Sequence, residues 1–173
     1  MGDVCYSDSE CASYKMAAKF LGDNVEDWGG GTGWARRYFK EYRNVDFSGH
    51  KNVDEIIDLT EYTSSVDNIL IRQVLDAEER WEKIIENAKK SFKKKLCIIV
   101  GTPRVKKTRL GTVEPVFLAD GSKVIGEYYQ EMCYNPEDIK AFFPEGEYRI
   151  TEEEVETNQY YHKDWILYVE KIV

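Results

Sequence analysis

The residues best placed to do chemistry in this chain form one short run, Asp27-Trp28-Gly29-Gly30-Gly31-Thr32-Gly33. An acidic residue stands two places ahead of glycines at alternating positions. A short apolar stretch precedes the run, and Ala35, Tyr38, Phe39 and Tyr42 follow it at helical spacing. A strand, a tight glycine turn and a helix start, in that order, let backbone approach a small cofactor closely. Two further carboxylates, Asp46 and Asp58, stand where later strand-like segments end.

These residues need elements to hold them. Residues 7–21 read as a leading helix: Ser7-Asp8-Ser9-Glu10 resembles a capping box, and Tyr14, Ala17, Ala18 and Leu21 share one face. Residues 24–28 read as a first strand, Val45-Asp46-Phe47 closes a second, and 55–59 is a third ending at Asp58. The apolar run Ile69-Leu70-Ile71 within 67–74 predicts a strand buried on both faces. Residues 78–92 form the clearest helix, with Trp81, Ile84, Ile85, Ala88 and Phe92 along one side. Another buried strand is predicted at 96–100. A hairpin turning at Ala119-Asp120-Gly121-Ser122 follows. Asn135-Pro136-Glu137-Asp138 supplies a cap, a proline at the first position and acids at the positive end of a helix that packs Ile139, Phe142 and Phe143. Residues 148–155 and 165–169 finish as strands. Alternation of this kind predicts a mostly parallel, doubly wound α/β sheet with its ligand at the carboxyl ends of the strands.

The chain's 173 residues suit one domain, and 42% hydrophobic and 13% aromatic residues exclude a disordered one. No repeat or low-complexity tract divides it, so residues 1–173 are expected to form a single domain. Cys5, Cys11, Cys97 and Cys133 lack C-x-x-C spacing, and with two histidines they give no metal site. Cys97 in Cys97-Ile98-Ile99-Val100 reads as a buried thiol. No apolar run approaches the ~18 residues of a membrane span, so a cytoplasmic protein without membrane partners is expected. A net charge of −8 argues against a general nucleic-acid coat, although it leaves nucleic acid possible at a local basic mouth.

Two glycine-turn templates compete. The nicotinamide fingerprint G-x-G-x-x-G wants glycine where helix approaches strand. Counted from Gly29 that place is Trp34, whose indole blocks such packing, and counts from Gly30 or Gly31 miss as well. The template acidic-x-G-x-G-x-G is met at every fixed place by Asp27, Gly29, Gly31 and Gly33. With Asp46 at the end of strand 2 and Asp58-Leu59 past strand 3, the chain resembles class I S-adenosylmethionine-dependent methyltransferases over roughly residues 8–102. The last third is similar only in its order of helices and strands. The resemblance implies a seven-stranded sheet with helices on both faces, an antiparallel last strand and the leading helix, and S-adenosylmethionine as cofactor. It implies a cofactor-facing set of Asp27, Trp28, Gly29, Gly31, Asp46, Asp58, Leu59 and Arg72.

Each assignment has a physical reason. Gly29 and Gly31 lack side chains that would hold the methionine moiety off the backbone. Asp27 would orient the turn and bind the ammonium end. Asp46 has two oxygens for the two ribose hydroxyls. Asp58 would accept from the adenine amino group, with Leu59 packing on the ring. Arg72 ends strand 4, where backbone lines the cofactor. Residues 1–22 would form a helical lid.

The methyl acceptor is read after strand 4, in Arg72-Gln73-Val74-Leu75-Asp76. Neither the Asn/Asp-Pro-Pro-aromatic stretch of amino-directed nucleic-acid enzymes nor the Pro-Cys pair of cytosine enzymes is present. Gln73 and Asp76 stand where many small-molecule members carry histidine, and no side chain is assigned to proton transfer. His50 and His162 read as surface residues. Lys89, Lys90, Lys93, Lys94 and Lys95 read as the end of a helix, away from the functional edge. Arg104, Lys106, Lys107 and Arg109 lie at that edge and would receive an anionic acceptor, with residues 104–134 as a substrate-side insertion. The leading expectation is a methyltransferase acting on a small or anionic molecule. The alternatives are a cofactor-binding interaction module without catalysis and, disfavoured by Trp34, a nicotinamide oxidoreductase.

Overall fold

The structure, a computed structural model, describes residues 11–101, 104–113, 129–156 and 163–172. Helix α1 (Ala12–Leu21) leads into strand β1 (Asn24–Trp28). Strands β2 (Glu41–Asp46), β3 (Glu55–Ile56) and β4 (Val66–Arg72) follow, then helix α2 (Trp81–Ser91) and strand β5 (Phe92–Val100). Strands β6 (Arg109–Val113) and β7 (Tyr129–Cys133) precede helix α3 (Pro136–Lys140), and β8 (Tyr148–Glu156) and β9 (Lys163–Lys171) end the chain.

Seven strands form one sheet in the order β3-β2-β1-β4-β5-β9-β8. All are parallel except β9, which runs antiparallel between β5 and β8. From β1 the chain steps outward through β2 and β3, returns, and steps the other way through β4 and β5. The order therefore reverses between β1 and β4, which opens a crevice at their carboxyl ends. Register aligns that crevice: Trp28 pairs with Val45 on one side and Ile71 on the other, so Gly29 leaves β1 level with Asp46 and Arg72.

Two apolar layers cover the sheet. On one face α2 and α3 bury Trp81, Ile84, Ile85, Ala88 and Ile139 against Trp28, Ile69, Ile71 and Leu96. On the other, α1 buries Tyr14, Ala17 and Leu21 against Val25, Leu70, Cys97 and Ile99. Each large aliphatic side chain so buried contributes about 1.5–3 kcal/mol. Because both faces are covered there, Ile69-Leu70-Ile71 of β4 and residues 96–100 of β5 are apolar without alternation, as the run in β4 predicts.

The sequence overstates helix after the glycines. Residues Trp34–Tyr38 make a single 3-10 turn, and Tyr42 already belongs to β2. Gly33 enters that turn left-handed (φ 75°), and Phe39 leaves it extended, so the pattern at 35–42 spans two elements. Lys93, Lys94 and Lys95 lie in β5 rather than at a helix end. β3 is shorter than expected and stops before Asp58. The capping box at residues 7–10 and the turn at 119–122 lie outside the described residues. The expected hairpin arms do pair, as antiparallel β6 and β7. Asn135 caps α3 by accepting the Glu137 N–H, as its type and place predict.

Candidate functional site at the sheet switch point

The glycine turn is held by its own chain. Gly29, Gly31 and Gly33 have φ of 77°, 50° and 75°, a region that only glycine enters freely. A Cβ on Gly29 would lie 2.3 Å from Val74 Cγ2, and one on Gly30 would lie 2.6 Å from Asp27 Oδ2 and Asn44 Oδ1. Gly29 thus serves packing against the loop after β4, a requirement the sequence does not suggest. Asp27 is buried and accepts the Tyr42 hydroxyl at 2.5 Å. Asn44 donates to the Gly31 and Asn52 carbonyls, tying the turn to β2.

Asp46 stands at the end of β2, buried and facing the turn. Its Oδ2 accepts from Gly31 N at 2.9 Å and its Oδ1 from Ser48 N at 2.7 Å. Each oxygen retains a lone pair for a further donor. Phe47 and Ile56 flank it, 80% and 66% exposed, as apolar surface that no described residue covers. Thr32 Oγ1, Asn44 Oδ1 and Ser48 Oγ are buried here without hydrogen-bond partners, an uncommon concentration in folded chains.

Asp58 lies on the loop after β3. Its Oδ1 accepts from Thr60 N and Oγ1, and these bonds, with Arg80 nearby, hold its carboxyl below the usual range. Three expected members of the site, Trp28, Leu59 and Arg72, have their side chains elsewhere. The Trp28 indole is fully buried, edge-on to Tyr62 and donating to Glu26 Oε1, so only its backbone reaches the turn. Leu59 belongs to the core, and the apolar faces presented at this corner are Phe47 and Ile56 instead. Phe47 was legible in principle, since it directly follows Asp46; Ile56 needed the sheet order.

The carboxyl ends of β4 and β5 form the adjoining edge. Arg72 turns inward: its guanidinium lies over the Tyr14 ring at 4.6 Å, 3.4 Å from Ser13 Oγ and 3.8 Å from Asp164. Its side chain therefore points to α1 and β9 rather than to the glycine turn. Gln73 is exposed and left-handed (φ 53°), a conformation that costs a non-glycine residue on the order of 1–3 kcal/mol. Asp76 is buried and accepts the Gly101 N–H at 3.1 Å. Arg104 pairs with Glu154, while Lys106, Lys107 and Arg109 are exposed. His50 is exposed, as expected, and His162 lies outside the described residues.

No protein-family model matches the sequence, and no curated protein matches it. Solved structures do. A 1,6-didemethyltoxoflavin-N1-methyltransferase from Burkholderia thailandensis, with 1,6-didemethyltoxoflavin and S-adenosylhomocysteine bound, superposes with a TM-score of 0.64 at 14% identity over 92% of this chain and 76% of its own. A magnesium protoporphyrin IX methyltransferase from Synechocystis with bound S-adenosylmethionine gives 0.58 at 15% identity over 92% and 75%. An S-adenosylmethionine-dependent methyltransferase from Mesorhizobium loti gives 0.59 at 10% over 92% and 96%. The chain has the class I S-adenosylmethionine-dependent methyltransferase fold. At these identities the likeness is one of architecture: a seven-stranded sheet with one antiparallel strand and fewer helices than the expected helix-rich alternation.

Proposed function

We propose that this protein is an S-adenosylmethionine-dependent methyltransferase acting on a small molecule. The observation that carries the reading is Asp46, a buried carboxylate at the end of β2, level with a left-handed glycine turn and flanked by exposed Phe47 and Ile56. An acid beside two apolar faces fits a nucleoside, whose ribose offers hydroxyl donors and whose base offers an apolar ring. The unpartnered Thr32, Asn44 and Ser48 oxygens add polar capacity at the same corner. Asp58 would accept from the adenine amino group. Asp27 would hold the turn in place through Tyr42 and orient its backbone toward the amino-acid end.

When bound, the cofactor supplies a methyl group made electrophilic by its sulfonium sulfur. The chain's part is to align an acceptor and exclude water. Arg72 fixes α1 over the carboxyl end of β4 through Ser13 and Tyr14, as a lid would require. Calorimetry with S-adenosylhomocysteine tests the reading. Saturable one-to-one binding is expected, with no heat from NADH. Binding of NADH alone would overturn it.

A further inference from the structure

Methyl transfer leaves the lysine-rich run at 89–95 unused. Lys89 and Lys90 close α2, and Lys93, Lys94 and Lys95 open β5 directly after it. The fold brings further lysines to the same corner. Lys171, at the end of β9, donates to the Phe92 carbonyl at 2.7 Å. Lys95 donates to the Phe20 carbonyl at 2.7 Å, beside Lys19 in the last turn of α1. Ammonium groups therefore rim the molecule from the end of α1, across the amino end of β5, to the end of α2. This concentration stands in a chain whose net charge is −8.

Acids offset little of it. Among the described residues, the one ion pair made by these lysines is Lys94 with Asp67, at 2.6 Å. Glu170 opposes Lys95 across the β5–β9 ladder but pairs with Arg149, and Glu147, exposed just ahead of β8, pairs with none of them. Three of the lysines lie over aromatic rings instead. Lys89 stands 5.6 Å from the centre of Tyr148, Lys95 4.9 Å from that of Phe20 and Lys171 4.8 Å from that of Phe92. A ring face attracts a cation without cancelling its charge. Burial, with Lys89 alongside, pushes the Lys171 ammonium below the ordinary lysine value, so like charges are held together here.

Uncompensated positive charge at one corner selects a polyanion. The rings decide which kind. Phe92 and Tyr148 are buried beneath their lysines, so they give no face to a nucleobase, and single-stranded nucleic acid is ordinarily gripped by such stacking. Ile172 follows Lys171 and is 52% exposed, an apolar side chain among the ammonium groups. Lysines around an exposed aliphatic side chain match an anionic bilayer, where cations meet headgroup phosphates and the apolar group reaches below them.

We propose that this corner docks the protein on an anionic membrane surface, with Lys90, Lys93 and Lys171 toward the headgroups and Ile172 at the acyl boundary. The contact is peripheral and needs no spanning segment. It lies at the amino ends of the parallel strands, and the length of β5 from Lys94 to Val100 separates it from the crevice by about 20 Å. A docked molecule therefore keeps its crevice open to solvent, and docking stands or falls apart from the methyltransferase reading.

Co-sedimentation of the whole chain with vesicles tests the docking. Retention is expected on vesicles of one part phosphatidylserine to two parts phosphatidylcholine, not on phosphatidylcholine alone, and raised salt is expected to release the chain. Lys90→Glu with Lys93→Glu reverses two exposed charges that make no ion pair among the described residues. This double variant is expected to lose about tenfold or more in vesicle affinity and to keep its S-adenosylhomocysteine binding and unfolding temperature. Ile172→Asn is expected to weaken vesicle binding and to leave any binding of polyuridylate unchanged. No retention on the anionic vesicles, equal retention on phosphatidylcholine alone, or variants that bind like the native chain would overturn the proposal. Tighter binding to polyuridylate than to the anionic vesicles would overturn it too, giving the corner to nucleic acid.

Discussion

Asp46 is the residue on which cofactor affinity should turn. Its two oxygens already brace Gly31 and Ser48, so its removal loses both the turn's brace and the ligand's acceptor. Asp46→Ala is expected to weaken S-adenosylhomocysteine binding by roughly 1–3 kcal/mol, measured by calorimetry. Gly29→Ala acts through the fold instead. A Cβ there meets Val74 Cγ2 at 2.3 Å in a left-handed backbone, so a loss of roughly 1–3 kcal/mol in urea unfolding is expected. Glu131 gives a pH signature. Burial raises its carboxyl above the ordinary 4.5, so the folded chain favours the protonated form. That preference stabilises below the unfolded value and fades as pH rises through the folded one. Glu131→Gln should therefore gain stability over the native chain as pH rises from 4 to 7, seen in paired denaturant titrations. At this scale the sequence was most informative where residue type implies backbone need. Asp27, Asp46 and the glycines could be placed on sight, because acid and glycine spacing is local. Asp164 could not, since Arg72, its ion-pair partner at 3.8 Å, lies about ninety residues earlier and meets it only through the order β4-β5-β9.

At the scale of elements, the segments that announced themselves were those whose periodicity matched one environment throughout. α2 buries a single stripe, and residues 69–71 of β4 and 96–100 of β5 are apolar on both faces. The stretch after the glycines misled because Ala35, Tyr38 and Phe39 face one core layer from a 3-10 turn and Tyr42 joins them from a strand. Two elements packed on the same layer mimic one helix. α3 shows the opposite case, where local chemistry alone sufficed. Asn135→Ala removes the acceptor for the Glu137 N–H and should cost about 1 kcal/mol in thermal or chemical unfolding.

For the whole molecule, the two covered faces of the sheet make Cys97 a reporter of global opening. Its thiol lies at the centre of β5, wholly buried, and burial pushes its pKa well above the ordinary range. Alkylation mapped by mass spectrometry should leave Cys97 unmodified under native conditions and label it at a rate that follows denaturant-dependent unfolding. Rapid native labelling would contradict the described core. The outer strand β8 carries Glu152, Glu153, Glu154 and Glu156, and such charge on a sheet edge discourages pairing with a second copy.

The place of β9 in the sheet has a consequence for the order of assembly. This strand comes last among the described residues yet lies between β5 and β8, so both of its neighbours wait for it. A ribosome-bound chain that has already made the glycine turn still lacks the strand that carries Ile166, Leu167 and Val169 into both core layers. Nascent chains halted before residue 163 should remain sensitive to protease, and full-length release should bring protection in a single step.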